Sequence, residues 1–259
     1  TPLEDIARAC SDQPRWFQLY CGTDHEILKS MIARAEQSGY ETIVVTVDNK
    51  TIGWRERCLE LRFYQHTGGA GLGNWTSDPV FRSRLGKTPE EDPDAAIRLY
   101  QQLATDPGFG PQDLAFVCAQ TRLPVFVKGI LHPDDARVAL EHGAQGIIVS
   151  NHGGRQVDRV ISSIDALPGI VQAVEGRAPV LFDSGIRRGA DIFIALALGA
   201  EAVLVGRPYL YGLILAGEQG AREVMINLIS DFHMTMIAAG CPAVDEINRA
   251  CLAGTDPSE

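Results

Sequence analysis

Six short apolar runs, each followed by a stretch with helical periodicity, recur along the chain and leave few architectures open to it. The runs are Trp16–Tyr20, Thr42–Asp48, Pro124–Lys128, Gly146–Ser150, Pro179–Asp183 and Ala202–Gly206. Their near-continuous apolar, often β-branched character is that of strands covered on both faces, as in a parallel sheet under helices. The first intervening helix is predicted from His25 to Gln37, capped by Asp24, with Ile27, Leu28, Met31, Ile32 and Ala35 on a 3.6-residue period. Further helices are predicted over Pro93–Leu103, Pro111–Gln120, Pro133–His142, Ser163–Val174 and Ala190–Leu198, and beyond the last strand. Strands alternating with helices imply right-handed parallel crossovers, hence a barrel or a doubly wound sheet.

The polar residues choose between these. Gln18, Tyr20, Thr46, Asp48, Lys128, Ser150, His152, Asp183 and Gly206-Arg207 all fall at or just past the C-terminal ends of predicted strands. In a barrel those ends converge on one mouth; an open sheet gathers ligands only at a switch point. The expected fold is therefore α/β, a TIM (β/α)8-type barrel, as one domain over residues 1–259. Between 49 and 91 the periodicity fails, and this stretch is expected to be a long active-site loop insert without elements of its own. Its Gly68-Gly-Ala-Gly-Leu-Gly73 run fits no dinucleotide fingerprint, and Gly86-Lys-Thr88 lacks the upstream glycine of a phosphate loop.

Composition removes several function classes. A net charge of −10, spread rather than blocked, argues against a nucleic-acid partner. No apolar run approaches the ~20 residues of a membrane helix. Cys10, Cys21, Cys58, Cys118, Cys241 and Cys251 are scattered without CxxC spacing and read as reduced thiols of a cytoplasmic protein; the N-terminus has no signal-peptide pattern. Without HxxxH or HExxH spacing, no metal site is expected.

The chemistry concentrates in Ser150-Asn-His-Gly-Gly-Arg155, where a strand end carries an imidazole that takes a proton near neutral pH and a guanidinium able to hold a carboxylate. A lone histidine is ordinarily a surface or core residue, but His152 and Arg155 together form a chemical set. Gly185 and Arg187, with Gly206 and Arg207, lie on the loops after the last two strands, where such barrels bind phosphate; taken singly, either loop reads equally as a structural turn. Lys128 would face the mouth as an anion stabiliser, or as a Schiff-base lysine. Asp48 is a candidate to orient His152 or merely to cap a turn, and Arg55 a candidate second clamp.

Four separated motifs, Lys128-Gly-Ile130, Ser150-Asn-His-Gly-Gly-Arg-Gln-Val-Asp158, Asp183-Ser-Gly-Ile-Arg-Arg-Gly-Ala-Asp191 and Gly206-Arg-Pro208, occur in an order that resembles the FMN-dependent 2-hydroxy acid oxidising family. The Gly73–Phe81 stretch looks most like the lactate 2-monooxygenase branch. The resemblance implies FMN as cofactor and oxidation of a short (S)-2-hydroxy acid such as L-lactate, with oxygen as acceptor and oxidative decarboxylation in the monooxygenase branch. It implies that His152 is the base, assisted by Asp48, and that Arg55, Arg155 and Tyr20 hold the substrate. Gln18, Thr46, Lys128 and Ser150 would bind the flavin ring, and Asp183, Gly185, Arg187, Gly206 and Arg207 its ribityl phosphate. A homo-oligomer, tetramer or octamer, is also implied. The family's barrel has two more strands ahead of the part matching Thr1, so the chain is expected to supply six of eight β/α units, the third to the eighth. Such a remainder cannot close, and is expected to bind FMN poorly by itself. The competing expectations are an aldolase-like barrel using Lys128 and an inactive fragment that only associates with other subunits.

Overall fold

The strands form where the apolar runs lie: β1 (Trp16–Leu19), β2 (Thr42–Thr46), β3 (Val125–Ile130), β4 (Gly146–Val149), β5 (Val180–Phe182) and β6 (Ala202–Val203). They follow one another in chain order, and the registers of β1 on β2, β2 on β3, β4 on β5 and β5 on β6 are all parallel. This computed structural model describes residues 1–63 and 68–253; positions 64–67 of the predicted insert lie outside the described residues. Every residue of β2, β4 and β5 is buried, as two-sided helical cover requires, whereas β1 buries Phe17 and Leu19 and exposes Trp16 and Gln18.

Helix α1 (Leu3–Ala9) precedes β1, and α2 (His25–Gln37) joins β1 to β2. The Asp24 carboxylate accepts from the N–H groups of Glu26 and Ile27, the cap that the sequence predicts. Three short helices follow: α3 (Glu56–Glu60), α4 (Gly73–Thr76) and α5 (Pro79–Ser83). Then come α6 (Pro93–Leu103), α7 (Pro111–Ala119), α8 (Pro133–Glu141), α9 (Ser163–Val174), α10 (Gly189–Ala197) and α11 (Arg207–Ala239). In α11 the backbone leaves the helical region at Ala216 and Gly217. Strand β6 is shorter than the apolar run suggests, although Leu204 N–H still donates to Phe182 O at 2.8 Å. Among the described residues no helix is long and apolar enough to cross a membrane.

Two compact units make up the packing, one of residues 1–128 with 138–145 and one of 129–137 with 146–259. In the first, Ile27, Leu28, Met31, Ile32 and Ala35 of α2 are buried together with Ile43, Val44 and Val45 of β2. In the second, Phe193 and Ala197 of α10 pack with Met236 of α11 and with Cys241 and Ile247. Gly189 lets α10 start hard against α11, because a Cβ there would lie 2.1 Å from Phe232 N.

Among the described residues the 49–91 insert holds the three short helices α3, α4 and α5. Asp78, fully buried, caps α5 by accepting from the N–H groups of Val80 and Phe81 at 2.9 and 3.0 Å. Its other oxygen accepts from Ser30 Oγ at 2.7 Å and from Arg34 Nη1 at 3.0 Å. Arg34 also donates to both Glu4 oxygens, at 2.7 and 3.0 Å, and to Asn74 O at 2.9 Å, tying α1, α2 and the insert together. Trp75 adds edge-to-face contacts to Phe81 and Tyr100 at 5.6 and 5.3 Å.

Removing one partner of a buried ion pair leaves a charge in low dielectric. Arg34→Met is therefore expected to lower unfolding free energy by roughly 3–5 kcal/mol, read from urea denaturation at neutral pH. The hydrogen bond from Arg34 holds the Glu4 carboxyl below its ordinary pKa. Glu4's share of the loss is present above the ordinary carboxylate pKa and fades as pH falls through the lowered one.

Candidate active site

Each unit presents polar side chains where its buried strands end. In the first unit, Gln18 lies one residue short of the end of β1, and its Nε2 donates to Thr46 Oγ1 at 2.8 Å and to Tyr20 Oη at 3.1 Å. Thr46 ends β2, is buried, and stands opposite Lys128 in the parallel register, with Val47 N–H donating to Lys128 O at 2.9 Å. Four sequence-predicted residues, Gln18, Tyr20, Thr46 and Lys128, are thus joined by hydrogen bonds or register. Asp48 is half-buried just beyond β2, and Arg55 is half-buried at the N-cap of α3.

In the second unit, Ser150 is fully buried at the end of β4 and its N–H donates to Ile130 O at 3.4 Å. The chain then turns sharply. His152 (φ 56°), Gly153 (φ 66°) and Gly154 (φ 70°) are all left-handed, within a single 3-10 turn over His152–Gly154. For the histidine this conformation costs roughly 1–2 kcal/mol, offset by bonds to the turn's backbone. His152 N–H donates to Ser150 Oγ at 3.0 Å, Asn151 N–H to Ser163 Oγ at 2.8 Å, and Gly154 N–H to Asn151 Oδ1 at 3.1 Å. Ser184 Oγ accepts from the N–H groups of Asn151 and Gly153 at 3.3 and 3.0 Å, and donates to Asp183 Oδ1 at 2.7 Å. Arg207 Nη2 donates to Gly153 O at 2.9 Å. His152, Asp183 and Arg207 therefore belong to one hydrogen-bonded assembly, with Arg155 exposed at its rim.

The phosphate-type loops are open to an anion. Gly185 (φ 92°) and Gly206 have nothing within 4 Å of where a Cβ would stand, and Arg187 and Arg207 are exposed beside them. The helix starts after the two loops differ in what their N–H groups meet. The N–H groups of Arg187 and Arg188 donate to Asp191 Oδ2 at 2.9 and 2.8 Å, and that of Gly189 to Asp231 Oδ2 at 2.6 Å. The start of α10 is thus already satisfied by carboxylates, whereas α11 begins at Gly206 with no side-chain cap. Glycine-lined space, exposed guanidinium groups and a helix start without a side-chain cap suit a phosphate.

Ser163 and Ser184 carry much of this geometry and are absent from the sequence-based candidates. A serine after a strand-end aspartate and before a glycine reads as a turn residue; only its bonds to a turn 31 and 33 positions away distinguish it. Among the described residues no three His, Cys, Asp or Glu side chains gather as a metal site. Within the described residues all six cysteines are free thiols, with Cys241 Sγ and Cys251 Sγ 3.6 Å apart.

Known proteins share the fold that carries these residues. The family described as FMN-dependent dehydrogenase matches residues 1–254. L-lactate oxidase of Lysinibacillus sphaericus is 44% identical over 257 residues, covering 99% of this chain and 66% of that protein. Human 2-hydroxyacid oxidase 1 is 41% identical over 249 residues, covering 95% of this chain and 66% of its own length. The chain thus spans about two thirds of these curated relatives. A structure of an oxidised active mutant of (S)-mandelate dehydrogenase superposes with a TM-score of 0.86 at 38% identity, covering 98% of this chain and 69% of that one. A lactate oxidase structure from Pediococcus acidilactici gives 0.82 at 33% identity, covering 96% and 63%. The shared fold is that of TIM-barrel-type β/α units, with six strands among the described residues.

A Cβ on Gly153 would stand 2.5 Å from Arg207 Nη2 at a positive φ. Gly153→Ala is expected to displace that guanidinium and to cost roughly 1–2 kcal/mol of stability through the left-handed backbone, measured as a lowered thermal midpoint.

Proposed function

The chain belongs to the FMN-dependent dehydrogenase family, and from that premise we propose that it oxidises a short (S)-2-hydroxy acid, such as L-lactate, to the 2-oxo acid with FMN as cofactor. Oxygen is the proposed acceptor, so that hydroxy acid and oxygen give oxo acid and hydrogen peroxide. The observation that carries the reading is the hydrogen-bonded joining, within the second unit, of the His152 turn to Asp183 and Arg207. It couples a base to a phosphate-type loop on rigid strand ends.

Bound FMN would supply the two-electron acceptor. His152 would take a proton from the substrate at an imidazole nitrogen, the backbone of its turn held by Ser150 and Ser184. Arg155 at the rim would hold the substrate carboxylate by charge-assisted hydrogen bonds. Gly185, Arg187, Gly206 and Arg207 would hold the ribityl phosphate, with Asp183 anchoring the loop and Ser150 contributing to the flavin ring. From the first unit, the family resemblance gives Gln18, Thr46 and Lys128 to the flavin ring, Tyr20 and Arg55 to the substrate, and Asp48 to stabilising the protonated base. Family membership argues against the Schiff-base reading of Lys128. The proposal extends to a cytoplasmic homo-oligomer, tetramer or octamer.

The test is oxygen uptake on L-lactate with added FMN, counting peroxide and carbon dioxide. Peroxide with pyruvate is the expected result; carbon dioxide with acetate would assign the chain to monooxygenase chemistry instead. No turnover of any short 2-hydroxy acid by the flavin-loaded protein would refute the reading and favour a fragment that only associates with other subunits. His152→Gln is expected to lower kcat by about 10²–10⁴-fold while FMN still quenches on binding. Arg187→Ala and Arg207→Ala should each weaken FMN about tenfold or more, since a charged hydrogen bond contributes roughly 1.5–3 kcal/mol, as read by flavin-fluorescence titration.

A further inference from the structure

We propose that Ser184 is a positioning residue for His152, its hydroxyl fixing the turn that carries the imidazole; the proposal rests on His152 being the base. The hydroxyl has one hydrogen, and that hydrogen goes to Asp183 Oδ1 at 2.7 Å. Its lone pairs are thereby oriented toward the turn, where they accept from the N–H groups of Asn151 and Gly153. These are the residues on either side of His152, so the serine grips the histidine's backbone from both flanks. The N–H between them, that of His152 itself, donates to Ser150 Oγ at 3.0 Å. With three successive N–H groups bound to serine hydroxyls, the His152 φ of 56° is held rather than sampled.

The backbone of Ser184 points the same way. Its φ is 79°, a region comfortable for glycine and strained for a residue with a Cβ. The following residue, Gly185, also has a positive φ, of 92°. A serine there raises the backbone energy and supplies only the hydroxyl, and the hydroxyl's partners are the aspartate of one strand end and the His152 turn of another.

Ser184→Gly and Ser184→Ala separate the hydroxyl from the backbone. Glycine relieves the strain and alanine keeps it, so the thermal midpoint should be held or raised by glycine and lowered by alanine. Both lack the hydroxyl, so both should lose kcat on L-lactate at saturating FMN by roughly 10–100-fold, with KM little changed. A second readout needs no turnover: the His152 ring C2-proton resonance, assigned by its loss in His152→Gln, should be one sharp line in the wild-type protein and broadened or split in both variants. If Ser184→Gly keeps wild-type kcat and a single sharp line, the proposal is overturned and Ser184 is only a turn residue. If the wild-type protein with FMN turns over no 2-hydroxy acid, the functional reading fails, and the resonance still decides: lines split by the substitutions support the positioning role, and unchanged lines end it.

Discussion

A strand buried on both faces can carry chemistry only at its end, and that constraint organises this protein. β2, β4 and β5 are buried along their whole lengths, so their side chains are committed to packing. Polar side chains come where the strands end, at Thr46, Ser150 and Asp183. Each of these is anchored through the sheet: Thr46 by its register with Lys128, Ser150 by its N–H on Ile130 O, and Asp183 by its N–H on Val149 O at 2.9 Å. The apolar interior supplies the rigidity, and the hydrogen-bonded ends supply the orientation.

Much of this was legible in the sequence because its signals are local. The run Thr42–Thr46 and the spacing of Ile27, Leu28, Met31 and Ile32 each carry their own periodicity, and the Asp24 cap and the C-terminal placement of His152 follow from a few neighbouring residues. What escaped depends on partners far away in the chain. Asp78 looks like one more charge in a mixed-charge loop until Ser30 and Arg34 meet it. Asp231 gives no sign, in the middle of a long helix, that it accepts from the Gly189 N–H. Arg207 reads as a phosphate ligand, and one of its nitrogens also donates to Gly153 O, linking the two motifs.

The second unit concentrates unusual backbone where the chemistry is expected. His152, Ser184 and the glycines at 153, 154 and 185 all have positive φ, a cluster at two adjacent strand ends. Strain of this kind persists where surrounding bonds over-determine it, and here the serine hydroxyls and Arg207 do so. In the first unit the strand ends contribute side-chain hydrogen bonds instead, with Gln18 bridging Thr46 and Tyr20.

The clasp around Asp78 also limits where the chain can be cut. Gly73 lies so close to Thr1 that a Cβ on it would meet Thr1 N at 2.6 Å, and Glu4 shares Arg34 with Asp78. The first four residues therefore serve as the floor on which the helices over 73–83 are laid down. Loss of the Glu4–Arg34 contact would remove no strand, yet it would turn an ordered segment some seventy positions away into a target for proteases.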